Sequence, residues 1–84
     1  MDAWTYAEDS ILLDCIAQAL REGKTIQRGI IDAAIANSRT PGACARRYYS
    51  EIDRENDPRM QQVREAEQER IRQKIQTFRK KARR

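Results

Sequence analysis

The chain has 84 residues, with 17 Lys plus Arg, 13 Asp plus Glu and no histidine, giving a formal net charge of +4 and an isoelectric point near 9.4. That length holds one small domain with an appendage, and without histidine a Ser-His-Asp triad, a Cys-His pair and every Cys/His zinc site are excluded. No run approaches the roughly 18 apolar residues of a membrane span. The opening Met1-Asp2-Ala3-Trp4 lacks the basic and hydrophobic segments of a secretory signal. The expected setting is therefore cytoplasmic, with Cys15 and Cys44 reduced and buried, and no cofactor or metal is expected.

In chain order, Thr5-Tyr6-Ala7-Glu8 reads as a capping box, and Glu8 with Asp9 places negative charge in the first turn of a helix. Leu12, Leu13, Ile16, Ala19 and Leu20 recur at helical spacing, and Gly23 supplies a left-handed cap. The first helix is predicted over about 6–22. Thr25 caps a second helix carrying Ile26, Ile30, Ile31, Ala34 and Ile35, stopped at Asn37-Ser38. Gly29 weakens that helix by roughly 1 kcal/mol relative to alanine, unless a neighbour needs close approach there. Thr40-Pro41 opens a third helix over about 41–54, with Cys44, Tyr48 and Ile52 forming one apolar stripe.

Asp57-Pro58 repeats the capping signal and opens a long polar helix. Its apolar positions are Met60, Val63, Ile71, Ile75, Phe78 and Ala82, and with Glu67 in the gap they make one narrow stripe at about 3.6 to 3.7 residues per turn. That stripe serves packing or dimerisation. The charge is uneven as well. Residues 1–57 carry seven basic and ten acidic side chains, a balance of −3, whereas residues 58–84 carry ten basic and three acidic, a balance of +7. Every aromatic residue except Phe78 lies before residue 50, which places the expected core there. The expected architecture is all-α: a three-helix unit over 1–56, then a basic C-terminal helix over 57–84.

A tryptophan before the first helix and a Thr-Pro-capped third helix describe a small helix-turn-helix unit. Trp4-Thr5-x-x-Glu8-Asp9-x-x-Leu12, together with Arg39-Thr40-Pro41-x-Ala43-Cys44-x-x-Arg47-Tyr48, resembles the Myb/SANT-like DNA-binding domain. It is similar to the bacterial form in prespore-specific transcriptional regulators, which also carry an Arg-Glu-Gly stretch (here Arg21-Glu22-Gly23) and a following threonine (here Thr25). The resemblance covers about residues 4–53. It departs at helix two, where Ile30 or Ile31 replaces the usual aromatic, and at Tyr48, where the pattern has tryptophan. The C-terminal helix has no counterpart.

The resemblance implies a regulator that binds double-stranded DNA with helix three in the major groove, and it maps base contacts to Ala45, Arg46, Tyr49 and Ser50. Geometry offers a separate check. With about 100° per residue, the face opposite Cys44, Tyr48 and Ile52 holds Ala43, Arg46 and Ser50, flanked by Arg47 and Tyr49. Arg46, Tyr49 and Ser50 are accordingly expected to read bases, Arg46 by bidentate contact with guanine. Arg39 and Thr40 at the helix start, with Arg47 and Arg54, are expected on the DNA backbone, as are Arg79, Lys80, Lys81, Arg83 and Arg84. Tyr49 has packing on the fourth helix as its alternative role. A homodimer through the fourth helix, using Met60, Val63, Ile71, Ile75 and Phe78, would raise affinity and specificity.

The rival reading is a SANT-like module that docks on a protein partner, which an acidic body favours. It gains if Glu51 and Asp53 crowd Arg46, and the DNA reading gains if they do not. No Gly-rich phosphate loop, oxyanion-hole motif or paired-carboxylate pocket is legible, so no catalysis is expected.

Overall fold

A computed structural model describes residues 3–82 of the chain, and these form helices and turns with no strand. Helix α1 spans Tyr6–Arg21. It starts where the sequence predicts: the Glu8 amide donates to the Thr5 hydroxyl at 3.1 Å and the Thr5 amide donates to the Glu8 carboxylate at 3.2 Å. It stops at Gly23, whose φ of 76° lets the Lys24 amide turn back to the Ala19 carbonyl at 2.8 Å.

Helix α2 spans Ile26–Asn37, capped by the Thr25 hydroxyl, which accepts from the Arg28 amide at 3.1 Å. It closes on Ser38 in the left-handed region, φ 52°. Gly29 owes its place to α1: a Cβ there would lie 2.5 Å from the Ile16 Cα and 2.8 Å from the Cys15 carbonyl oxygen. Only a residue with no side chain lets the two helices approach this closely, and the helix-propensity cost of glycine is the lesser one.

Helix α3 begins at Pro41 behind a Thr40 cap, with the Ala43 amide 3.1 Å from the Thr40 hydroxyl. It departs from the continuous α-helix expected over 41–54. Regular α geometry covers Pro41–Arg46, and the backbone then widens into a π-helical stretch over Arg47–Asp53. In that geometry residues five apart stack on one face. Arg47 and Ile52 can thus both point at α1, one into an ion pair and the other into the core.

After a left-handed Asn56 (φ 55°), Asp57 accepts from the Arg59 amide at 2.9 Å and caps a single 3-10 turn, Pro58–Met60. Helix α4 follows over Gln61–Ala82. It runs parallel to α1: Arg59 stands 5.3 Å from the Tyr6 ring at one end, and Arg70 donates to the Lys24 carbonyl at 2.6 Å at the other. No described helix is long and apolar enough to cross a membrane.

One core serves all four helices. Leu12, Leu13 and Ile16 of α1, Ile30 and Ala33 of α2, Cys44, Tyr48 and Ile52 of α3, and Met60, Val63 and Ala66 all bury against one another. The core therefore crosses residue 57, and the first half of α4 belongs to the same packed unit as residues 1–56. Trp4 is half-buried at its edge. Cys44 is buried as expected, whereas Cys15 is only half-buried, and both are free thiols. Past Arg70, α4 leaves the body, and residues 71–81 are all exposed. The molecule is accordingly drawn out, 57 × 24 × 17 Å.

Candidate nucleic-acid interface

The outer face of α3 carries Arg46, Tyr49 and Ser50, all exposed, with Arg54 just beyond the helix end. Cys44, Tyr48 and Ile52 anchor the opposite face in the core and so fix which side chains point outward. Tyr49 settles between α2 and α3 rather than on α4. It lines a shallow groove with Gln27, Ile31, Pro41 and Ala45, and its ring meets Tyr48 edge-on at 4.9 Å. Tyr48 is the tyrosine that looks toward α4: burial first, then the charges of Asp53 and Glu67, push its phenol well above the ordinary range.

Two of the arginines expected on phosphates face inward instead. Arg39 folds back over Trp4, with its guanidinium 4.2 Å from the ring centroid, and donates to the Glu8 carboxylate at 3.2 Å and the Ala3 carbonyl at 3.1 Å. The Arg39 bond to Glu8, with the Thr5 amide, holds the Glu8 carboxyl down at about 2 from its ordinary 4.5. Arg47 donates to both oxygens of Asp9, at 2.9 and 2.7 Å, and also pairs with Glu51. The Asp9 hydrogen bonds raise the Arg47 pKa further and keep its charge fixed. Thr40 is exposed, but its hydroxyl is engaged as the α3 cap.

Asp9 is the hub of this network. It is 3% exposed and also receives Arg59 at 3.1 Å, so one carboxylate ties α1, α3 and the turn before α4. Arg59 in turn donates to Asp57 at 2.8 and 3.1 Å, which holds that carboxyl at about 2. The Asp9 hub was missed in the sequence, although a signal exists: Asp9, Leu12, Leu13 and Ile16 fall on one helical face. A carboxylate inside an apolar stripe requires a cation when the stripe is buried.

The pairing changes the charge map. Within residues 3–57, Arg21, Lys24, Arg28, Arg39 and Arg47 each pair with a carboxylate. Among the described residues, Arg46 and Arg54 are the two cations of that region with no ion pair, and both belong to the α3 segment. Glu51 turns to Arg47 and Asp53 forms no pair with Arg46. The C-terminal cations Arg79, Lys80 and Lys81 are exposed and unpaired among the described residues, whereas Arg83 and Arg84 lie outside them.

The predicted α4 stripe divides in two. Met60 and Val63 are buried, joined by Ala66 in place of the expected Glu67, while Ile71, Ile75 and Phe78 are uncovered. Neither protein-family models, nor curated proteins, nor solved structures give a match to this chain.

Proposed function

We propose that α1–α3 form a Myb/SANT-like helix-turn-helix module that binds duplex DNA as a sequence-specific regulator, with α3 in the major groove. One observation carries the reading: the two body cations left without a carboxylate among the described residues, Arg46 and Arg54, share the α3 segment with Tyr49 and Ser50. Arg39 and Arg47 are engaged with Glu8 and Asp9 of α1, and Arg21 and Arg28 pair with Glu69 and Asp32 away from this face. In this reading Arg46 contacts a guanine edge, Tyr49 and Ser50 contact neighbouring bases, and Arg54 meets a phosphate. Arg39 and Arg47 are positioning residues for α3 rather than phosphate ligands. Arg79, Lys80 and Lys81 add sequence-independent affinity.

A second reading, docking on a protein partner, draws on the apolar side chains beside the same face. Ile35 is 75% exposed, with Ile31 and Tyr49 partly exposed along the α2–α3 groove. A titration of fluorescent duplex separates the two. The DNA reading expects binding that weakens steeply as salt rises, because bound phosphates release counterions. No binding at low salt would remove the DNA reading and leave the protein partner.

A further inference from the structure

Beyond Arg70, α4 stands clear of the body and carries Ile71, Ile75 and Phe78, which are 58%, 46% and 73% exposed. These three do not continue the face that packs on α1. At about 100° per residue, Val63, Ala66 and Arg70 centre roughly 110° away from the line of Ile71, Ile75 and Phe78. The free line has a spacing of four and then three, the alternation of the two apolar positions of a heptad. It also has a seat at its body end, where Ile71 adjoins Leu20 and Ile26 in a cleft rimmed by Arg70 and Lys74.

The residues bordering the line decide what can cover it. In this heptad frame the flanking positions are Arg72, Lys74, Arg79 and Lys81, cations on both borders, exposed and with no ion pair among the described residues. Residues 70–81 contain no acidic side chain. A second copy laid antiparallel along this line would bring lysine and arginine against lysine and arginine at all four positions, and a parallel copy would still set Lys74 against Arg79. Flanking charges of this kind set partner choice in paired helices, and like charges disfavour self-pairing. Phosphate contact alone gives no use to three aligned apolar side chains.

We propose that the free half of α4 is a docking helix for an acidic amphipathic helix of another protein, with apolar residues at its heptad core and Glu or Asp at its flanks. Ile71, Ile75 and Phe78 supply the shared apolar seam, and Arg72, Lys74, Arg79 and Lys81 supply orientation and selectivity. This surface is separate from the α3 face; it shares Arg79 and Lys81 with the phosphate contacts proposed above, while Ile71, Ile75 and Phe78 serve docking alone.

The test titrates the full chain into a labelled synthetic helix of about three heptads, with leucine in its seam and glutamate at its flanks. Saturable binding is expected, and the same peptide with lysine flanks should bind at least ~100-fold more weakly. Ile75→Asp and Phe78→Asp, whose side chains lie outside the core, should each cost at least ~10-fold with an unchanged melting temperature. Replacing Arg72, Lys74, Arg79 and Lys81 together by glutamate should reverse the preference toward the lysine peptide. Four outcomes overturn the proposal. They are no saturable binding, binding indifferent to Ile75 and Phe78, a stable dimer of the free chain in sedimentation, and loss of duplex-DNA affinity in Phe78→Asp equal to its loss of peptide affinity.

Discussion

Arg47 and Asp9 meet through two hydrogen bonds of 2.7 and 2.9 Å, with the carboxylate sealed inside the protein, and this pair sets the face that α3 presents. Arg59 completes the cluster by donating to the same Asp9 oxygen that receives one of the Arg47 bonds. Asp9→Asn removes the buried negative charge and leaves two part-buried guanidinium groups facing each other. The expected loss is about 3 kcal/mol, the scale for breaking a buried pair from one side. Urea denaturation measures it, and a loss within ~0.5 kcal/mol, the range of ordinary surface substitutions, would show that the cluster does not hold the fold.

Acid should weaken the protein through Glu8 and Asp57. Both carboxyls lie at about 2 in the folded chain, against ordinary values of 4.5 and 3.8, because Arg39 and Arg59 hydrogen-bond their charged forms. A depressed carboxyl stabilises the fold above its unfolded pKa, and that contribution is lost as pH falls toward the folded value. Melting temperature should therefore hold down to about pH 5 and decline between about pH 4.5 and 2. Glu8→Gln should lower the neutral-pH melting temperature and flatten the decline. An unchanged slope in that variant would remove Glu8 from the account.

Gly29→Ala sets two effects against each other. Alanine gains about 1 kcal/mol in helix propensity, but its methyl carbon would sit 2.5 Å from the Ile16 Cα and force α1 and α2 apart. Overpacking against backbone costs about 1–3 kcal/mol and here should exceed the gain. The variant is expected to be less stable in thermal melts. A more stable protein would mean that the two helices tolerate a wider separation.

The two thiols should separate in reactivity. Burial raises both above the ordinary 9.0, and Cys44 is wholly enclosed whereas Cys15 is half-buried. A thiol reagent near pH 8 should modify Cys15 slowly and Cys44 only through unfolding. Equal rates in the native protein would contradict the placement of Cys44.

The caps were the most legible part of the fold, because each is a short-range match of side chain to backbone: Thr5 with Glu8, Thr25, Thr40-Pro41, Gly23. Gly29 was legible as a question, and the contact with Ile16 supplies its answer. Long-range choices were not. Arg39 and Arg47 looked like surface cations because their partners, Glu8 and Asp9, lie some thirty to forty positions away and already had a local role at the helix start. The widening of α3 begins at Arg47, the residue that makes this long-range pair, and no local pattern in the sequence marks it. The α4 stripe looked continuous because periodicity carries no record of where a neighbouring helix ends. At about 1.5 Å per residue, the 16 residues of α1 reach only part way along the 22 of α4.

Arg46 tests the central claim most directly. Duplexes selected from a random pool by the full chain should share a short motif containing guanine. On the selected duplex, Arg46→Ala should lose affinity by roughly 5- to 150-fold, the equivalent of about 1–3 kcal/mol for one bidentate base contact. On unselected DNA the same variant should lose much less. A pool that yields no motif, or a variant that loses equally on every duplex, would contradict a base-reading role for this face.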